Sequence, residues 1–229
     1  MIIPCFNESK NIPLLFDEIS KNQKKLEFEI IIINNGSTDN TNEIILRNSY
    51  KLKNLKLINI KTNIGFGNGV KKGLLAAKSD IVCYTHGDLQ VDIENCIKAF
   101  EIYTKNKGDI FVKSLRKNRN FISIFFTYFM SLFNSFYFRI YLHDIHSQPN
   151  LFKKPNEQII KNCPDDMSID LFLYLFFKMK KFSELRFKIT FNKRIYGIGN
   201  NELLKNKISY SVKSIKNSFK IKQIINEIL

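Results

Sequence analysis

Polar side chains of the kinds that bind nucleotides and metal ions follow four apolar runs early in the chain. The apolar runs are 1–3, 28–33, 55–60 and 81–84, and the polar segments are 3–8, 34–39, 63–68 and 86–90. Short, β-branched runs with few charges are typical of strands covered on both faces. Because the carboxyl ends of parallel strands meet at one edge of an open sheet, we expect the four segments to line one crevice, where such sheets bind ligands.

Between these runs the sequence predicts helices over 11–26, 38–50, 68–78 and 91–100. Apolar residues recur at helical spacing in the first of them, and Pro13 lies in its first turn. Alternating strands and helices indicate an α/β fold whose parallel strands are joined by right-handed crossovers.

In order and spacing the four polar segments resemble the nucleotide-sugar-binding half of the family 2 glycosyltransferases, which are inverting enzymes with a GT-A fold. Pro4 to Glu8 matches the Pro-x-Tyr/Phe-Asn-Glu turn of that family, and 34–39 stands where it has Asp-Asp-Gly-Ser-Thr-Asp. Residues 88–90 match the end of the Asp-x-Asp-Leu-Gln motif of the branch that uses polyprenyl phosphates, with His86 at the first Asp. The resemblance spans about residues 1 to 200 and implies a mostly parallel, Rossmann-like sheet with helices on both faces.

Asp88 and Gln90 offer oxygen ligands of the type that hard cations prefer. With the resemblance, they predict a Mg²⁺ or Mn²⁺ site that would stabilise a diphosphate leaving group. His86 is a third candidate ligand, which would favour Mn²⁺, although a histidine near a strand end also serves as a hydrogen-bonding spacer. Alternatively, Asp88 caps the helix that follows it.

The resemblance also implies which residues contact or frame the nucleotide sugar. They belong to the first three turns: Pro4, Phe6, Glu8, Asn35, Asp39, Asn63 and Gly67. Asn34 and Asn35 place amides where the family has carboxylates, and amides still accept hydrogen bonds from a base or ribose. Asp39 suits a helix cap as well as a ligand contact.

Three arginines are candidates for binding phosphates, because guanidinium forks match phosphate oxygens bidentately. Arg116 and Arg119 follow the run 109–112, and the alternative for them is a solvated basic loop. Arg194 lies in 193–197, which resembles the family's Arg-x-x-Gly-x-Ser loop that closes over the donor, with Gly199 at the Ser position.

Two later segments resemble the acceptor side of the same branch. Residues 144–153 match its strand and turn, and 164–170 open a helix. A carboxylate there is the catalytic base in family members that activate a hydroxyl, and Asp166, with Asp165 as the alternative, is our candidate; both also suit a helix start. A lipid phosphate is already an anion and needs no base. We therefore expect transfer with inversion to a membrane-associated acceptor. Polyprenyl phosphate is the preferred acceptor, and a glycan hydroxyl is the alternative.

Residues 121–138 carry no charge, are rich in Phe and Ile, and are flanked by basic residues. The length is borderline for a membrane span, which needs about 20 residues. A span, an interfacial or acceptor-groove helix, and a buried helix are the three interpretations, and the resemblance implies interface helices inserted at 121–141 of a domain covering 1–200. The tail 201–229 predicts a basic amphipathic helix with an apolar stripe of Ile208, Val212, Ile215 and Phe219. Such a helix either lies on an anionic membrane or packs its stripe on the domain.

The formal net charge of +15, from 36 Lys and Arg against 21 Asp and Glu, suits phosphorylated substrates, anionic lipid or nucleic acid. No zinc-finger spacing, RNA-binding aromatic signature or helix-turn-helix stands out, so we expect no nucleic-acid partner. The four cysteines lack Cys-x-x-Cys spacing, which predicts buried free thiols in a reducing compartment.

The first apolar residues run directly into Pro4, unlike a signal peptide. We expect a cytoplasmic protein, peripheral on the inner face of a membrane, which could form an oligomer. The replacement of family carboxylates by Asn34, Asn35 and His86 leaves a non-catalytic binding or scaffold protein as an alternative from another class.

Overall fold

The computed structural model describes residues 1–24, 27–197 and 204–228. The strands in this part of the chain are β1 (Ile2–Cys5), β2 (Ile30–Asn35), β3 (Leu55–Ile60), β4 (Ile81–Tyr84), β5 (Ile110–Lys117), β6 (Asn150–Lys153) and β7 (Ser183–Thr190). The α-helices are α1 (Ile12–Gln23), α2 (Thr41–Asn48), α3 (Phe66–Ala76), α4 (Glu94–Lys105), α5 (Phe121–Phe138), α6 (Glu157–Asn162), α7 (Ile169–Met179) and α8 (Leu204–Ile228).

All seven strands belong to one sheet in the order β3-β2-β1-β4-β6-β5-β7. β6 runs antiparallel to β4 and β5, and the other neighbouring pairs are parallel. The prediction of a mostly parallel α/β sheet is therefore confirmed. The order also places β1 beside both β2 and β4, so the turns that follow these three strands open at the same edge.

The isoleucines of β2 explain why this run has almost no polar residue. Ile31 and Ile33 pack into a cluster with residues of α3, whereas Ile30 and Ile32 pack into a second cluster with residues of α1. Successive side chains of a strand point to opposite faces. Because each face of β2 is covered by a helix, both sets of side chains are buried.

The predicted helices form with shifted ends. The helix predicted over 11–26 spans 12–23, with residues 25 and 26 outside the described part of the chain, and the one predicted over 38–50 spans 41–48. The helix predicted over 91–100 begins only at Glu94, because the preceding segment forms an irregular turn in which Val91 is buried. The four cysteines are free and buried, as predicted.

Helix α5 lies over the predicted range, and Asn120 caps it by accepting a hydrogen bond from Ser123 N at 2.7 Å. Among its residues only Met130, Ser131 and Asn134 are buried. The interpretation of this segment as a buried core helix is therefore wrong.

Helix α8 packs against α5 and α7. Ser218 Oγ donates to Asn134 Oδ1 of α5 at 2.7 Å, and Ile221 and Ile225 are buried in the core. Three residues of the apolar stripe predicted for the tail instead point to solvent and are about half exposed: Ile208, Val212 and Phe219. The tail thus packs on the domain through a different face from the one that the stripe indicated.

Candidate active site

A guanidinium joins two buried carboxylates at the edge where β1 and β4 end. Arg194 Nη2 lies 2.7 Å from Asp88 Oδ2, and Arg194 Nη1 lies 3.5 Å from Glu8 Oε1. Glu8 follows β1 and Asp88 follows β4, and their residues are 8% and 4% exposed. Burial raises the pKa of Glu8, and the positive charge of Arg194 opposes that effect. Three sequence-predicted site residues are thus brought together.

Arg194 reaches this edge through the loop that follows β7, and hydrogen bonds hold that loop in place. Asn192 N donates to Gln90 O at 2.9 Å, and Gln90 Nε2 donates to Asn192 O at 3.2 Å. Arg194 Nε is buried without a hydrogen-bond partner. An unpaired buried donor is unfavourable in the free protein, whereas an anionic ligand would satisfy it. Gly199, part of the predicted loop motif, lies outside the described residues.

The donor set around Asp88 fits a divalent cation that takes most of its ligands from a substrate. Asp88 Oδ1 accepts a hydrogen bond from Gln90 N at 3.1 Å, and Oδ2 faces Arg194. Within the described residues no group of three His, Cys, Asp or Glu could hold a metal ion. Mg²⁺ commonly binds one or two carboxylates and completes its shell with substrate phosphates and water. Asp88 can serve in that way, whereas a cage made only of protein ligands is absent from this part of the chain.

His86, where the family has its first Asp, packs its ring on Phe66 with the ring centroids 4.7 Å apart. Burial lowers the pKa of His86, the negative charges of Asp88 and Asp170 oppose this, and Arg194 and Arg116 reinforce it. His86 is two residues from Asp88, which belongs to the carboxylate–arginine group described above, and two residues from Tyr84, whose Oη donates to Asp170 of α7 at 2.6 Å.

The turns after β1, β2 and β3 are tied together on the side predicted to bind the nucleoside. Asn35 Nδ2 donates to Gly65 O at 3.0 Å, and Asn63 Oδ1 accepts from Gly65 N at 2.9 Å. Asn35 Oδ1 is buried without a partner. A buried carbonyl oxygen of this kind can accept a hydrogen bond from a base or a ribose hydroxyl.

The structure places Asp39 at the start of α2. Its carboxylate accepts hydrogen bonds from Thr41 N at 3.0 Å and from Ser9 N at 3.3 Å. Partial burial raises its pKa, but these hydrogen bonds outweigh burial and the pKa is lowered. Pro4 is buried within β1, and Phe6 beyond it is 42% exposed. Asp39 therefore ties the turn after β1 to the start of α2 and so frames the crevice.

The glycine at the start of α3 is required by a close backbone approach. A Cβ on Gly67 would lie 2.2 Å from Pro164 O, and Asn68 N donates to Asp165 O at 2.8 Å. The segment 164–166 is thus packed directly against the third predicted turn. Only a residue without a side chain fits there.

Arg116 and Arg119 converge on Asp144. Arg116 Nε lies 3.1 Å from Asp144 Oδ1, a second bond runs from Arg116 Nη2 to the same oxygen, and Arg119 Nη1 lies 3.8 Å away. Burial would raise the pKa of Asp144, but Arg116 and then Arg119 hold it well below its usual range. The side chains of Arg116 and Arg119 are only 11% and 13% exposed, so the interpretation as a solvated basic loop is wrong.

The two candidate base carboxylates bind neighbouring parts of the protein. Asp166 accepts from Ser168 N at 3.0 Å and from Asn217 Nδ2 of α8 at 2.7 Å. Asp165 pairs with Lys71 Nζ at 2.5 Å. The helix-start role allowed for Asp166 by the sequence is thus present, together with a contact to α8.

A second charged group, which sequence reasoning missed, surrounds Asp170 on α7. Asp170 is 1% exposed and accepts a hydrogen bond from Tyr84 Oη at 2.6 Å. Its other oxygen lies 3.1 Å from His146 Nδ1, and His146 Nε2 lies 3.3 Å from Tyr210 Oη of α8. The signal for Asp170 is visible in the sequence, since it is the lone charge in the apolar run 169–177; nothing in the sequence marks Tyr210.

Relatives of this chain among known proteins include sugar transferases that are named for polyprenyl phosphates. The chain is 29% identical over 127 residues to a dolichyl-phosphate beta-glucosyltransferase of Trichomonas vaginalis, covering 52% of this chain and 36% of that protein. It is 28% identical over 123 residues to the undecaprenyl-phosphate 4-deoxy-4-formamido-L-arabinose transferase of Aeromonas hydrophila, covering 52% and 37%. The matched stretch thus spans little more than a third of these relatives.

Similar solved structures include glucosyl-3-phosphoglycerate synthase from Mycobacterium tuberculosis in complex with Mn²⁺, uridine diphosphate and phosphoglyceric acid. The TM-score is 0.74 at 15% identity, covering 96% of this chain and 76% of that one. This likeness confirms the GT-A fold. The family model "Glycosyl transferase family 2" matches residues 1–168, which is most of the chain. The chain therefore belongs to glycosyl transferase family 2.

Proposed function

We propose that this protein transfers a sugar, with inversion, from a nucleotide diphosphate sugar to a polyprenyl phosphate. The observation that carries the proposal is the Arg194 guanidinium at the mouth of the crevice, which bridges Glu8 and Asp88 and keeps a buried Nε–H without a partner. The names of the relatives, which are transferases to dolichyl and undecaprenyl phosphates, support the choice of acceptor.

In the binding site of the sugar donor, the nucleoside would lie against the turns that hold Asn35 and Glu8. Asn35 Oδ1, which is buried without a partner, could accept a hydrogen bond from it. Asp88, with Gln90 and His86 beside it, would hold Mg²⁺ or Mn²⁺ together with diphosphate oxygens. When bound, such a cation neutralises the charge that develops on the departing diphosphate. Arg194 would then turn its fork from the carboxylates to the phosphates.

On the acceptor side, Arg116 and Arg119 would bind the lipid phosphate. Asp144 fixes both guanidiniums, so they meet the acceptor already oriented. A phosphate oxygen attacks the anomeric carbon from the side opposite to the leaving diphosphate. The new C–O bond forms as the old one breaks, the nucleoside diphosphate leaves with the electron pair, and the configuration inverts.

We propose that α5 and α8 bring the protein to a membrane surface. Within the described residues α5 is the helix long and apolar enough to cross a membrane, yet a large part of it lies on the protein surface. Its exposed large side chains include Phe121, Phe125, Tyr128, Leu132 and Phe136. Lys222 of α8 lies over the ring of Tyr137, and Lys207 Nζ of the same helix donates to Ser123 Oγ of α5 at 2.9 Å, so two lysines border α5. An apolar helix face bordered by lysines is typical of binding at the interface of an anionic membrane.

Calorimetric titration with UDP, GDP and dTDP, each with Mn²⁺ and with EDTA, tests the donor site. We expect metal-dependent binding of one nucleotide by the wild-type protein and its loss in Asp88→Ala. Asp80→Ala is the matched control, since Asp80 precedes β4 at the opposite end of the same strand. Absence of binding to any nucleotide would contradict the proposal and favour a non-catalytic protein that retains the fold.

A second candidate function is transfer to a hydroxyl of a glycan. The paired Asp170 and His146 favour it, because a hydroxyl acceptor, unlike a phosphate dianion, must lose a proton. Assays with a polyprenyl phosphate and with an alkyl glycoside as acceptors distinguish the two functions.

A further inference from the structure

The group formed by Asp170, His146 and Tyr210 has the arrangement of a general base with its orienting partner. Asp170 lies at 3.1 Å from His146 Nδ1, and its other oxygen is fixed by Tyr84 Oη at 2.6 Å. A buried carboxylate beside one ring nitrogen keeps the proton of a neutral imidazole on that nitrogen. The lone pair of a neutral His146 is therefore at Nε2.

What faces this lone pair is a hydroxyl. Tyr210 Oη lies 3.3 Å from His146 Nε2, and the two rings meet edge to face with their centroids 5.8 Å apart. Tyr210 comes from α8, which is distant in sequence from the rest of the site. For proton transfer, the hydroxyl of an acceptor must lie against the unprotonated nitrogen of a histidine that a carboxylate orients. The Tyr210 hydroxyl has this position relative to His146.

The surroundings of His146 place it on the acceptor side of the site. His146 lies two residues after Asp144, the carboxylate that holds Arg116 and Arg119, and its partner Asp170 is bound by Tyr84 at the end of β4, the strand that leads to Asp88. The arginine proposed to bind the acceptor, the dyad and the metal motif thus share one region. The charged and titratable groups that face the dyad are Tyr84 of β4, Lys113 and Arg116 of β5, Asp166 before α7, Tyr210 of α8 and His86.

We infer that His146 accepts the proton of the attacking acceptor oxygen, that Asp170 positions it, and that Tyr210 occupies the place of that oxygen when no acceptor is bound. This rests on the proposed function in the form of its second candidate, transfer to a hydroxyl. In the step, the acceptor oxygen forms a bond to the anomeric carbon while its O–H bond breaks toward Nε2. The bond from the anomeric carbon to the diphosphate breaks, and the nucleoside diphosphate leaves with the electron pair. The proton then passes from the imidazole to solvent.

The acceptor oxygen must carry a proton for this step, which defines the chemistry that the dyad serves. A sugar hydroxyl carries one at neutral pH, so it needs a base. A phosphate monoester keeps at least one ionised oxygen at any pH near neutrality and can attack through that oxygen without a base. The contribution of His146 therefore depends on the acceptor, and it is large for a hydroxyl and small for a phosphate.

The test compares wild type with His146→Gln, using UDP-glucose as the first donor and either farnesyl phosphate or octyl glucoside as acceptor. With octyl glucoside, His146→Gln should lower kcat roughly 100-fold or more, the usual contribution of a general base. With farnesyl phosphate, whose oxygen is already ionised, kcat should change little. Nucleotide binding should be unchanged. The matched control is His143→Gln. His143 lies in the same loop, and only its backbone makes hydrogen bonds within the described part of the chain.

Two further variants separate positioning from folding. Asp170→Asn should lower kcat with octyl glucoside far more than with farnesyl phosphate, whereas a purely structural role would lower the melting temperature and affect both acceptors alike. Tyr210→Phe removes the hydroxyl that competes for Nε2, so the KM of the acceptor should fall about threefold to tenfold, the effect of one hydrogen bond.

The outcomes distinguish this inference from the function on which it rests. Wild-type levels of transfer to octyl glucoside by His146→Gln would overturn the role of His146 and leave the transferase intact, and so would transfer by the wild type to farnesyl phosphate alone. An unchanged or higher acceptor KM in Tyr210→Phe would overturn the place assigned to Tyr210. Failure of the wild type to bind a nucleotide or to turn over any donor would overturn the proposed function, and this inference with it.

Discussion

Replacing Asp144 by Asn removes the charge that holds two arginines in the protein interior. Asp144 is 3% exposed and accepts from Arg116 N at 3.0 Å and from Arg116 Nε at 3.1 Å. Arg119 Nη1 lies 3.8 Å from the same carboxylate. Asparagine keeps the shape but not the charge, so both guanidiniums would be left largely desolvated and uncompensated.

The expected loss of stability follows from this burial. Breaking a buried ion pair by removing one partner costs about 3–5 kcal/mol. That is a large part of the roughly 5–15 kcal/mol by which a domain is stable. For a domain of this size it corresponds to a fall of roughly 6–20 °C in melting temperature. The chain has no tryptophan, so urea and thermal unfolding should be followed by circular dichroism.

The effect should depend on pH in a defined direction. The pKa of Asp144 is held well below its ordinary value of 3.8 in the folded protein, chiefly by Arg116 against the effect of burial. A depressed carboxyl pKa stabilises the fold above the unfolded pKa, and this stabilisation is lost as the pH falls toward the folded pKa. The difference between wild type and Asp144→Asn should thus be constant above about pH 5 and shrink below about pH 4.

Asp165→Asn is the matched control for this substitution. Asp165 pairs with Lys71, but its side chain is 48% exposed, and surface pairs contribute about 0–1 kcal/mol. A loss of stability in Asp144→Asn no larger than in Asp165→Asn at pH 7 would refute the reasoning. So would a difference that persists unchanged to about pH 2.

Three further predictions concern the crevice and the apolar surface. Gly67→Ala should destabilise the protein by about 1–3 kcal/mol in urea unfolding, because its Cβ would lie 2.2 Å from Pro164 O; stability equal to wild type would contradict the close packing. Arg194→Lys should weaken nucleotide binding at least about tenfold in calorimetry, because lysine cannot reproduce a two-armed bridge; unchanged affinity would remove Arg194 from the donor site. Phe125→Glu should lower co-sedimentation with anionic vesicles at least about tenfold, whereas Leu46→Glu, at a similarly exposed position on α2, should not; equal effects of the two would contradict a membrane-binding face on α5.

The first four strands and the turns that follow them are predictable from the order of the amino acids, whereas β7, which leads to Arg194, was not predicted. An apolar run such as 30–33 is stable as a central strand, because there both of its faces are buried by helices. The carboxyl ends of neighbouring parallel strands then lie at the same edge of the sheet. This is why Glu8 and Asp88, 80 residues apart in the chain, could be assigned to one crevice from their positions after two apolar runs. The pattern of apolar and polar segments indicates which residues are buried, and the buried runs indicate the strands of the sheet.

The pairing of charged side chains, by contrast, arises only when the elements pack together. Arg194 meets Asp88 across 106 positions, and Tyr210 meets His146 across 64. Such contacts depend on the path of a loop and on the rotation of a helix about its axis. The apolar stripe of α8 indicated the wrong buried face for this helix. The face that is buried carries serines at 211, 214 and 218, whose small side chains allow closer packing than the larger apolar side chains beside them. Patterns along a chain record which residues are buried, and only packing decides which of them touch.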